Sequence, residues 1–158
     1  VTPPEVRFQQ GKVNSCVFSG MASALHFIGD DKGNRIFAEM AEGSAKVLYP
    51  MDRLRQVVES HTSWDIKGIR GTYNIFQPRP YPTCIQIKSC DGGVSHSITT
   101  VGNWVFDSNE KHALPLCQES LDRCAGKGAT FAGCLRVFEL TPSKKLERAL
   151  AKKRKREQ

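Results

Sequence analysis

No stretch of this 158-residue chain approaches the roughly 18 to 20 consecutive apolar residues that a transmembrane helix requires. The first ten residues, VTPPEVRFQQ, have neither the basic start nor the apolar stretch of a secretory signal, so the expected location is intracellular, in cytoplasm or nucleus, with no membrane partner. There is no initiator Met, which suggests either a trimmed chain or a piece of a longer precursor. None of the six cysteines forms a C-x-x-C pair, which excludes the usual zinc finger and ribbon spacings; neither a metal nor a cofactor is expected. No internal repeat is found, and no oligomeric state is implied. Reduced thiols are the default without a signal peptide, and a disulfide would follow only from secretion.

Hydrophobic residues make up 39% and charged residues 25%, the balance of a globular protein, and the length suits one domain. A net charge of +7 raises the question of a nucleic-acid partner. Its distribution is uneven. The segment 143–158, SKKLERALAKKRKREQ, holds eight Lys/Arg and two Glu, leaving a nearly neutral body of 15 basic and 14 acidic residues. The expected organisation is a domain over 1–142 and a basic C-terminal tail over 143–158, solvated or frayed because like charges repel. Such a tail suits nucleic acid or an import receptor, or serves as a solubilising linker.

Residues 15 to 29, SCVFSGMASALHFIG, are almost continuously apolar or small, too long for a strand, and predict a helix buried on most sides, capped by Asn14 or Ser15. Further helices are expected over Asn34–Leu48 and Asp52–His61, separated at Tyr49-Pro50. Residues 62 to 83 read as irregular. Strand patterns follow at Cys84–Lys88, at His96–Val101 with Trp104–Phe106 in a hairpin about Gly102-Asn103, and at Cys134–Leu140, with a turn at Asp91-Gly92-Gly93. Cys117 and Cys124 are spaced to share one helical face as core residues. Helices first and antiparallel strands afterwards give an α+β domain, its buried Cys-bearing helix packed on an antiparallel sheet.

Cys16 begins the apolar helix, where the partial positive charge of the N-terminus favours a thiolate, the nucleophilic form. A lone Cys there would more plainly be a small buried hydrophobe. Its surroundings, QGKVNSCVFS, resemble the active-site segment of papain-like cysteine peptidases: Gln10 lies six positions before Cys16, Gly11 follows it, Ser15 precedes the Cys, and Phe18-Ser19 falls where the family has Phe-Ser. The resemblance implies that Cys16 attacks a carbonyl carbon while the Gln10 amide and the Cys16 backbone N–H stabilise the oxyanion. Val13 and Val17 replace the family's usual disulfide Cys and its Trp, so the likeness is to the wider clan.

A thiolate of this kind needs a base, and GGVSHSITTVGNWVFDSN places His96 at a strand start after Gly-Gly, as the family does. With a two-residue turn at Gly102-Asn103, the register sets His96 opposite Asn109 and puts Asp107 on the same face two residues away. Asp107 is the favoured orienting residue and Asn109 the alternative. Taken singly, His96 is an ordinary strand-start polar residue and Asp107-Ser108-Asn109 an ordinary turn; their joint order with Cys16 and Gln10 is what the plain readings leave unexplained.

The expectation is therefore a compact papain-like cysteine peptidase with a protein or peptide substrate. It would hydrolyse peptide or isopeptide bonds through an acyl-thioester, as in polyprotein processing. The competing expectation is a catalytically silent papain-like or other α+β binding module tethered to nucleic acid by its tail.

Overall fold

The computed structural model describes residues 2–9, 15–43, 51–90 and 96–158, with Lys145 and Leu146 described in their backbone only. The chain opens with helix α1 (Cys16–Phe27), in which eight consecutive residues from Phe18 to Leu25 are buried, as their apolar and small side chains dictate. Ser15 sits at the N-cap position and its carbonyl accepts the Ser19 N–H at 2.9 Å. Asn14 lies outside the described residues. Gly29, at φ +86°, supplies the left-handed residue that turns the chain after α1.

Helix α2 (Asp31–Gly43) begins three residues earlier than the sequence predicts, because Asp30 caps it: its Oδ1 accepts the Gly33 N–H at 2.9 Å. The other carboxylate oxygen accepts the Trp64 indole N–H at 2.5 Å, which ties this turn to the sheet. Helix α3 (Met51–His61) buries Leu54 and Val58. The expected extension of the second helix to Leu48, the break at Tyr49-Pro50 and the turn at Asp91-Gly92-Gly93 all lie outside the described residues.

Residues 62 to 83 are irregular only in part, chiefly over 70–78. They contain strand β1 (Trp64–Ile69) and the start of β2 (Arg79–Ser89). Pro80 and Pro82, which signalled a loop, lie where the β2 register shifts between Arg79 and Thr83, so their missing N–H groups cost no ladder bond. Strands β3 (His96–Gly102), β4 (Trp104–Phe106), β5 (Leu114–Pro115) and β6 (Phe131–Pro142) complete a six-stranded antiparallel sheet in the order β1-β6-β2-β3-β4-β5. The hairpin turns at Gly102-Asn103, with Val101 opposite Trp104 and Gly102 at φ +57°.

Strand alternation divides the core between the two sheet faces. On one face Cys84, Phe138, Trp64 and Ile66 pack with residues of α1, α2 and α3. On the other, Ile85, Ile87, Ile98, Val105 and Val137 pack with Leu121 and Cys124 of helix α4 (Gln118–Ala125). The protein is thus a mixed α+β fold. Cys117 is the N-cap of α4 rather than a member of its buried face. The basic segment forms a continuous helix, α5 (Lys144–Glu157), with Glu147 in its first turn and Arg154, Lys155 and Arg156 in its last, the arrangement the helix dipole favours. No helix among the described residues is long and apolar enough to cross a membrane.

Candidate active site

Cys16 is the first residue of α1, and this end of the helix meets the start of β3, where His96 is the first strand residue. The approach is set by Gly20, one turn along α1: a Cβ there would lie 2.7 Å from Thr99 Oγ1 on β3. A larger residue would hold helix and strand apart. The absence of a side chain at 20 lets the thiol of Cys16 reach the imidazole of His96 and hydrogen-bond to it.

His96 Nε2 lies 2.8 Å from Asp107 Oδ1, with side chains 17% and 5% exposed respectively. That contact leaves Nδ1 as the ring nitrogen available to sulfur. Strand parity explains it: continuing the register Thr99↔Phe106 places Asp107 on the same face as His96, just past the end of β4. Asn109, the alternative orienting residue, is exposed, and its backbone N–H donates to Asp107 Oδ1 at 3.0 Å. Asn109 thus holds Asp107, and Asp107 holds His96.

The carboxylate has one further partner that the sequence did not reveal. The Cys124 thiol, buried on α4, is near enough to Asp107 to help hold its carboxyl low, while the carboxylate pushes the thiol up. The same helix is clamped to the loop after Asp107 by Arg123, whose Nε and NH2 donate to Glu110 Oε1 and Oε2 at 2.5 and 2.9 Å. Glu110 in turn donates its N–H to the Asp107 carbonyl at 2.9 Å. No local pattern signals this brace, because Cys124 is 17 residues downstream on a separate element.

These contacts fix the charges. Burial pushes the Cys16 thiol up, but the hydrogen bond with His96, the backbone of Ser97, the charge of His96 and the Val17 backbone outweigh it, so Cys16 titrates below the usual thiol range. Burial lowers His96, yet the hydrogen bonds and charges of Asp107 and Cys16 raise it to about 10. Burial raises Asp107, and His96, the Asn109 N–H and Cys124 together bring it below the usual carboxylate range. The three groups stand in series: a thiol biased toward the thiolate, an imidazole that holds its proton to about pH 10, and a carboxylate.

The site joins two layers. Cys16 comes from the helical layer on one face, Asp107 and its brace Cys124 belong to the other, and His96 connects them at the end of β3. Cys84, buried beneath the helical layer, is pushed up by its burial and by the Cys16 charge, which makes it a poor nucleophile. Gln10 lies outside the described residues. His26 and His61 are exposed at the ends of α1 and α3, and His112 pairs with Glu5 in an isolated bridge. No cluster of metal-ligating side chains occurs among the described residues.

No family model, no curated protein and no solved structure matches the chain.

Proposed function

We propose that the protein is a thiol-dependent peptidase of the papain-like type, hydrolysing peptide or isopeptide bonds. The observation that carries this reading is the Cys16–His96–Asp107 chain, with His96 Nε2 on Asp107 at 2.8 Å and the Cys16 thiol on the same imidazole. A charge-paired thiolate at a helix start is an activated nucleophile.

In this mechanism the Cys16 thiolate attacks the substrate carbonyl carbon. The carbonyl π electrons move to oxygen, and the resulting oxyanion is stabilised by the Cys16 backbone N–H and, as the sequence resemblance implies, by the Gln10 carboxamide. Collapse of the tetrahedral species expels the amine, which takes its proton from the His96 imidazolium, and leaves an acyl-thioester on Cys16. Neutral His96 then draws a proton from water as it attacks the thioester, and release of the acid restores the thiolate and imidazolium. Asp107 orients the ring and stabilises its positive form without itself taking the proton. A compact scaffold with short connections suits a processing enzyme, and a precursor polyprotein is the substrate class we favour.

The test is peptide-library cleavage combined with an electrophilic peptide, such as a vinyl sulfone, and mass spectrometry of the adduct. Cleavage abolished by Cys16→Ala, with the adduct on Cys16, is expected. Absence of cleavage together with no preferential adduct at Cys16 overturns the proposal.

A further inference from the structure

The strongest charge concentration away from the candidate site is α5. We propose that α5 is a docking element for duplex DNA, lying in the major groove with its cations on the phosphates of both groove walls. The inference does not depend on the peptidase reading.

Three observations carry it. First, the cations of α5 surround the helix. Lys152, Lys153, Arg154, Lys155 and Arg156 are consecutive and exposed, and at about 100° per residue five in a row cover the full circumference. A helix that rests on an anionic membrane needs an apolar stripe along its length, and the last turns of α5 have none. A cationic surface on all sides suits a ligand that surrounds the helix with negative charge. The major groove of B-form DNA, about 12 Å wide, admits a helix of about 10 to 12 Å diameter and flanks it with two phosphate rows. The A-form groove of duplex RNA is too narrow for this.

Second, α5 is free to enter a groove. Every residue from Glu147 to Gln158 is exposed, and no ion pair links α5 to the body among the described residues. Its base is nevertheless fixed: the Ser143 N–H donates to the Ser63 carbonyl at 2.9 Å, and the Glu147 N–H to the Ser143 carbonyl at 2.9 Å. The helix therefore starts directly from the end of β6, tethered to the body at Ser143.

Third, α5 is strained by its own charge. Lys144 and Arg148, Arg148 and Lys152, and Lys152 and Arg156 are like-charged pairs four residues apart, a spacing that weakens a helix. Phosphates between them turn repulsion into attraction, so binding should raise the helix content of α5. Contacts of this kind are to backbone phosphates and carry little sequence information.

The experiment uses the full chain and a fluorescent DNA duplex of about two helical turns, with anisotropy followed from 50 to about 200 mM salt. The expected log–log salt slope is about −4 or steeper, reporting release of counterions from at least about four phosphates. Replacing Lys152, Arg154 and Arg156 together by Gln should make the slope shallower by about 3 while leaving Cys16 labelling unchanged. Ala151→Pro keeps every charge and interrupts the helix, and should weaken binding about fivefold or more. Circular dichroism should show helix gained on adding DNA to the native chain. Equal affinity of the Ala151→Pro and native chains, tighter binding to an RNA duplex of the same length, or binding to phosphatidylserine vesicles without binding to DNA would each overturn the proposal.

Discussion

The buried Cys124 thiol on α4 acts as a donor toward the carboxylate of Asp107 and helps hold it low, and Asp107 Oδ1 in turn lies 2.8 Å from His96 Nε2. Removing this donor makes Asp107 less acidic and its hold on His96 weaker. Cys124→Ala should therefore slow alkylation of Cys16 severalfold at near-neutral pH and shift its pH profile upward, whereas Cys124→Ser, which keeps a donor, should shift it less. If Cys124 only fills space, the alanine variant loses stability, about 1 to 3 kcal/mol for a core truncation, and the profile of the folded fraction stays where it was.

The six cysteines should separate by reactivity in the native protein. Cys84 and Cys124 are buried with raised thiols and should label last. Cys117 is lowered by the Ser120 side chain and backbone, so it should label readily, but with no dependence on His96. Cys16 should keep its labelling rate to lower pH than an ordinary thiol does, and His96→Ala should slow Cys16 alone. Mass spectrometry of iodoacetamide-treated protein reads this directly; a His96 variant that leaves the Cys16 rate unchanged would mean that the imidazole does not activate the thiol.

Stability should have two pH limbs arising from the His96–Asp107 pair. Asp107 is lowered on folding, so its contribution is present above the ordinary carboxylate range and lost as pH falls through its lowered value. His96 is raised from 6.5 to about 10, so its contribution is complete below 6.5 and declines as pH rises toward about 10. Urea midpoints measured across pH should show Asp107→Asn flattening the acid limb, and His96→Ala removing the decline between 6.5 and about 10.

Gly20 and Thr99 should be energetically coupled. Gly20→Ala improves helix propensity by about 1 kcal/mol but drives its Cβ into Thr99 Oγ1, so a net loss of about 1 to 3 kcal/mol is expected. In a Thr99→Ala background the obstacle is gone and the same change should stabilise. Thr99 Oγ1 is buried and has no hydrogen-bond partner, so Thr99→Val should be neutral or stabilising. Chemical denaturation of the four members of the Gly20/Thr99 cycle gives the coupling; additive effects would show that helix and strand adjust freely.

Where the local pattern and the tertiary role agree, the sequence was readable. The apolar run at α1 is a helix because it is buried nearly all round, and the Gly102-Asn103 turn sets the parity that brings Asp107 to His96. β1 was missed because alternation runs only from Trp64 to Lys67 before Gly68 interrupts it, and the start of β2 because Pro80 and Pro82 signal a loop wherever the register is unknown. α4 is eight residues long and largely polar, and its value lies in contacts across the sheet. The influence of Cys124 on Asp107 has no sequence period at all. It exists only once both layers are packed.

β6 is the last of the described strands in chain order, yet it lies between β1 and β2. Until residues 131–142 have been made, Trp64–Ile69 has no strand to pair with, and one edge of β2 from Thr83 to Ser89 stays open. Cys16, His96 and Asp107 all precede that strand, and the strand that carries His96 pairs with β2 and β4 rather than with β6. In order of synthesis, the centre of the sheet is therefore filled last among the described strands, after the elements that bear the candidate site have been made.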